Sequence, residues 1–159
     1  MMLNPLSMDA KDRAMLRRFP MLLMLAALFA VGCSRSGPVP ANPKKVVPVT
    51  GTVHVDGAPA DKVEVKLHPD SGRDEKNPTV SMDFSGPDGK FEITTYYQGD
   101  GAPPGDYTVT FRQILNTAVK PVQDELRGKY NNPANSTVKV SVSAEQESVD
   151  MGVIELTKG

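Results

Sequence analysis

From residue 49 onward apolar and polar residues alternate with a period of two, the repeat of a strand that buries one face, and turn residues interrupt the alternation at short intervals. In GTVHVDG, Val53 and Val55 share a face. In KVEVKLHP, Val63, Val65 and Leu67 do, which leaves His54, Glu64, Lys66 and His68 on the opposite faces. Asp56 and Gly57 tolerate positive φ and supply a tight-turn signal, so these first two strands are expected to be neighbours. TVSMDFS and KFEITTY flank GPDG and predict a hairpin with Val80, Met82, Phe84, Phe91 and Ile93 inward. DYTVTFRQI places Tyr107, Val109 and Phe111 on one face, TVKVSVS does the same for Val138, Val140 and Val142, and a last strand carries Ile154 and Leu156. Gly152 lies where the phase set by Val149 and Met151 changes, which predicts a bulge or bend.

Seven short strands, each with one apolar face to bury, predict an all-β fold: an antiparallel sandwich of prealbumin-like or immunoglobulin-like type over residues 49–159. A domain of about 110 residues buries roughly 65% of its unfolded surface, enough to fold without disulfides. Gly105 and Tyr107 have the spacing of a tyrosine corner. Residues 115–136 are too long for an ordinary connection. Pro121 could open and Gly128 close a helical turn there, with Asp124 and Glu125 near its start. That segment reads either as a crossover capping one end of the sandwich, with Leu126 and Tyr130 as plugs, or as a binding loop.

The N-terminus follows a different pattern. Lys11, Arg13, Arg17 and Arg18 precede MLLMLAALFAV, eleven apolar residues where a membrane-spanning helix needs about 20. Ala30 and Gly32 then lead to Cys33, the one cysteine in the chain. This resembles the bacterial lipoprotein signal, in which cleavage before a cysteine exposes it for lipidation; Ala30 stands where Leu is usual. The resemblance implies that residues 1–32 are a cleaved signal peptide and that Cys33 carries a diacylglycerol thioether. With acyl chains of palmitate type at about 0.8 kcal/mol per buried methylene, two or more chains hold a domain stably on a membrane. Pro38, Pro40, Pro43 and Pro48 make residues 33–48 an extended tether.

Composition narrows the chemistry. A formal net charge of −1 and the lack of any long basic run exclude the electrostatic footprint of a nucleic-acid binder. One cysteine cannot form an internal disulfide, and with His54 and His68 as the two histidines no Cys/His zinc set can be assembled. No nucleophile elbow, HExxH or phosphate loop occurs. No catalytic, metal or cofactor residue is assigned. Asp70, Asp74, Glu75, Asp88, Asp100 and Asp106 fall in loops without EF-hand spacing and read as solvated charges.

Taken in order, the lipoprotein cysteine, the Pro-rich tether, VTGTVHVDGAPADKVEVKLHP, SGPDGKFEITT, GAPPGDYTVTF and KYNNPANSTVKVSV resemble the small lipoproteins of planctomycete bacteria with carboxypeptidase regulatory-like, transthyretin-like domains. The resemblance implies a prealbumin-like sandwich facing the periplasm or exterior from the cell envelope. It also implies a non-catalytic binding or structural role toward an envelope protein or glycan; a carbohydrate- or peptide-binding site at the sandwich end is the alternative. HVDGAPA is also similar to the opening stretch of the 5-hydroxyisourate hydrolases, which would make His54 catalytic. Lys90 stands where those enzymes have Arg, however, no second His lies near the end, and ELTKG stands in place of their Tyr-Arg-Gly-Ser ending.

Overall fold

A computed structural model describes residues 43–115 and 123–159; the signal segment, Cys33, most of the tether and Pro121 lie outside the described residues. Eight strands run in the order β1 (Val49–Val55), β2 (Ala58–Pro59), β3 (Val63–Pro69), β4 (Ser81–Phe84), β5 (Lys90–Glu92), β6 (Gly105–Gln113), β7 (Lys139–Val142) and β8 (Val149–Leu156). No α-helix occurs among the described residues. The alternation predicts seven strands; the eighth is β2, two residues folded back on β1 by the Asp56-Gly57 turn, where Val55 pairs with Ala58 and both turn residues have positive φ.

The strands form two four-stranded, mostly antiparallel sheets. In the first, β8 pairs with β1 in parallel, and the other edge of β1 is shared by β2 and β5. The second has the order β4-β3-β6-β7. Buried side chains from both sheets, among them Val53, Phe91, Ile154, Val65, Phe111 and Val140, form one hydrophobic cluster, an arrangement consistent with a β-sandwich. The packed region begins before β1: Val47 is buried and bridges to Ala102, so the last residues assigned to the tether lie against the domain.

The β8 bulge falls where the phase change predicts it. Thr50 pairs with Asp150 but Thr52 with Val153, so one extra residue is accommodated around Gly152, at φ 68°. The tyrosine corner is also present: Tyr107 Oη donates to the Pro103 carbonyl at 2.6 Å.

Three expectations about pairing are corrected. The first two strands of the pattern, β1 and β3, are not neighbours but lie in opposite sheets, because β1 turns back on itself through β2. The predicted hairpin is divided between the sheets. β4 pairs with β3 and β5 with β1, and the two touch through a single bridge, Met82 to Thr94. Ser85 makes the division: its hydroxyl donates to the Ala60 carbonyl at 2.6 Å and accepts from Val63 N–H at 2.9 Å, pinning the end of β4 to the start of β3 before the GPDG turn leads across. The inward face of β4 is reversed as well. Met82 and Phe84 stand opposite Lys66 and Glu64, on the outer face, and Val80 and Phe84 are exposed. Ser81 turns inward, where its hydroxyl meets Thr95 Oγ1 at 2.7 Å.

The 115–136 segment forms a 3-10 turn at Pro133–Asn135, but over residues 125–130 it is a chain of turns and not the expected helical turn. Asp124 is the reason. Its carboxylate accepts from Gln113, Leu126 and Gly128 N–H, and Arg127 and Gly128 both take positive φ, which a right-handed helix cannot accommodate. The capping role is nevertheless fulfilled. Leu126 is fully buried, Phe111 N–H of the second sheet donates to the Tyr130 carbonyl, and Thr157 N–H beyond β8 donates to Tyr130 Oη. The segment thus ties the two sheets together at one end.

Candidate functional site

The end of the sheets opposite this plug carries a recess of about 290 Å³. β3 starts near the plug, with Val63 opposite Gln113, and ends near the recess, with Pro69 opposite Tyr107. Lys66 and His68, two apart on β3, project to the same outer face and line it. Past Pro69 the chain reverses in a turn closed by Gly72 N–H to the Pro69 carbonyl, with Gly72 at φ 84°, and this brings Arg73 and Asp74 back to the rim. Pro103, Pro104 and Tyr107 form another wall, held by the tyrosine-corner bond. Lys44, from the end of the tether, completes the lining.

The polar groups are ordered by specific bonds. Asp74 binds Lys44 Nζ at 2.6 Å and accepts from Lys76 and Asn77 N–H at 3.0 Å. The Lys44 ammonium, followed by these loop amides, pulls its carboxyl down to about 2, and the same partner raises the pKa of Lys44. The Lys44 backbone N–H is held in turn by Tyr96 Oη at 3.1 Å. His68 Nε2 lies 2.8 Å from Thr110 Oγ1. Burial, helped by the nearby Lys66 charge, pushes its pKa below the usual imidazole value, so it is neutral at pH 7. Lys66 and Arg73 make no ion pair among the described residues.

Other residues singled out by sequence fall elsewhere. His54 lies on β1 in the other sheet, with Nδ1 2.9 Å from Glu155 of the adjacent β8, and does not line the recess. Asp100, one of the loop acids, gathers the Thr95, Tyr96 and Tyr97 amides into a tight loop that leaves Tyr96 buried and Tyr97 exposed. Three more of the loop acids have local partners: Asp70 takes Thr108 and Lys139, Asp88 takes Lys90, and Asp106 takes Ser141. Among the described residues no three His, Cys, Asp or Glu side chains gather as a metal ion would need, and no helix is long and apolar enough to cross a membrane.

Sequence reasoning passed over Lys44, Lys66 and Arg73. Lys44 sits in a spacer, Lys66 on a polar strand face and Arg73 in a loop rich in both signs of charge. Only the turn at Gly72 and the packing of residue 44 bring them together.

No family model and no curated protein matches the chain. Among solved structures it is similar to a 9R-lipoxygenase from Cyanothece PCC8801 at 16% identity and a TM-score of 0.37, covering 86% of this chain and 20% of that one. The chain thus spans about a fifth of that structure's length, and a likeness of this degree carries no argument about activity.

Proposed function

We propose that this chain is a lipid-anchored protein of the bacterial cell envelope whose prealbumin-like sandwich, seven principal strands plus the short β2, is a non-catalytic binding module with its site at one end of the sheets. The observation that carries the reading is the position of the recess: its wall includes Lys44, eleven residues after Cys33. An extended Pro-rich tether of that length reaches about 34 Å, so a domain anchored at Cys33 holds its recess close to the membrane, where envelope ligands are met. A small recess between ordered loops, in which Asp74 and His68 are already engaged in structural bonds, suits binding better than reaction.

Two measurements test this together. Cells supplied with a clickable palmitate analogue should label the protein, and Cys33→Ala should abolish both the label and recovery in the membrane fraction. A label that survives the substitution, or a membrane fraction unchanged by it, rejects the anchor. Saturable binding of an envelope glycan or peptide that shifts amides around Arg73 and His68 supports the site; shifts confined to the opposite end, around Leu126, reject it.

A further inference from the structure

We infer that the recess is an oxyanion site, taking the phosphate or carboxylate group of a small soluble ligand of about monosaccharide size through Lys66 and Arg73. The inference rests on the proposal that this recess is the binding site and adds the chemistry of what it binds.

The charge count of the lining comes first. Three cationic side chains, Lys44, Lys66 and Arg73, meet one carboxylate, Asp74, and Asp74 is taken by Lys44 at 2.6 Å. His68 adds no charge at pH 7. Among the described residues, the lining therefore holds two positive charges, Lys66 and Arg73, without a carboxylate partner, in a chain whose formal net charge is −1. A cleft lined by one sign of charge focuses the field and attracts the opposite ion.

Geometry supports the same conclusion. Arg73 is placed by its neighbours: the Gly72 turn precedes it, and Asp74, clamped by Lys44 and two loop amides, follows it. Its backbone is held on both sides while its guanidinium has no acid partner among the described residues. A planar fork fits the paired oxygens of a carboxylate or phosphate, and an ammonium supplies a point charge beside it. Ser71, Thr79 and His68 belong to the same lining and supply neutral polar side chains for the rest of a small polar molecule. A volume of about 290 Å³ is at the small end for ligand clefts, which favours one compact ligand over a polymer segment.

The test is an amide-resolved NMR titration of the full mature chain in neutral detergent, at constant ionic strength, with inorganic phosphate, glucuronate and glucose in parallel. Saturable shifts at His68, Ser71, Gly72 and Arg73 with phosphate or glucuronate, none with glucose, and an affinity loss of about tenfold or more in Lys66→Gln/Arg73→Gln, are the expected result. The spectrum of the unliganded double variant reports whether it folds, and Arg73→Lys, which keeps the charge and loses the fork, should bind with intermediate affinity. Glucose shifting the same amides as strongly would leave the recess a binding site and overturn the oxyanion assignment. So would shifts undiminished in the folded double variant, or no shift with either anion. Full-length Cys33→Ala, which lacks the lipid, is also sedimented with phosphatidylglycerol or phosphatidylcholine vesicles. Retention by the anionic vesicles that needs Lys66 and Arg73 and is not displaced by phosphate or glucuronate would assign the anion to a lipid headgroup and overturn the soluble ligand.

Discussion

Tyr107 and Pro103 are joined by a 2.6 Å hydrogen bond from the phenol to the carbonyl four residues upstream, and both residues line the recess. A bond that belongs to the fold thus also sets one wall of the candidate site. Burial pushes the phenol up to about 12, from an ordinary value near 10. The folded state holds this proton more tightly, so its contribution is fully present below pH about 10 and is lost as pH rises through about 12. Tyr107→Phe should cost about 1–2 kcal/mol at neutral pH by denaturant unfolding, and should flatten the loss of stability between pH 10 and 12 seen in the parent. An equally steep alkaline loss in the variant would assign that loss to another group.

At the acid end the relevant group is Asp74. Its carboxyl is held at about 2, below the ordinary carboxylate value near 4, so the order it gives the 74–77 loop is present above pH about 4 and is lost as pH falls through about 2. NMR titration should give Asp74 a midpoint near 2, and Lys44→Gln should move it upward. The pair is partly exposed, so global stability should hardly change. A midpoint unaffected by Lys44→Gln would show that the loop amides alone hold the charge.

The plug at the other end offers a stability test. Leu126 is fully buried, and Leu126→Ala should cost about 2–5 kcal/mol in denaturant unfolding. Asp124→Ala leaves three backbone amides without their acceptor and should cost about 1–3 kcal/mol. Values below about 0.5 kcal/mol for both would mean that the segment is not part of the packed core.

Two glycines with similar φ should respond very differently to a methyl group. Gly101 is at φ 96°, and a Cβ there would lie 1.8 Å from the Val47 carbonyl oxygen. Gly57 is at φ 80° with open space around it. Gly57→Ala should cost about 1 kcal/mol, the left-handed backbone penalty. Gly101→Ala adds a backbone collision that must separate Val47 from Ala102, and should lower the melting temperature much further. Equal shifts would contradict the close approach of these two chain segments.

The reversed face of β4 is checked by comparing phenylalanines. Phe84→Ser, at an exposed position, should change stability by less than about 1 kcal/mol, whereas Phe91→Ala in the core should cost about 3–5 kcal/mol. A large cost at Phe84 would restore the inward assignment.

Most of the strands were legible because alternation is a local property. Val53 and Val55, Val63 to Leu67, and Tyr107 to Phe111 each share a buried face as their spacing requires. The tyrosine corner and the β8 bulge were legible for the same reason, since each depends on a few adjacent residues. β4 was misread because alternation states which residues share a face but not which face meets the core. At this edge strand the register with β3 and the Ser81–Thr95 hydroxyl pair decide the matter. The turns after Asp124 were misread because one side chain accepting three amides competes with helical hydrogen bonds.

The sequence alone determined the all-β class, the set of core-facing residues in most strands, the turn at Asp56-Gly57 and the bulge at Gly152, since all of these follow from residue spacing and local backbone preference. It also singled out Cys33 by its setting after an apolar run. Tertiary structure decided the division of β4 and β5 between two sheets, the parallel pairing of β1 with β8, and the gathering of Lys44, Lys66 and Arg73 around one recess. Each of these joins residues distant along the chain, and their pairing depends on long-range packing that no short stretch of sequence encodes.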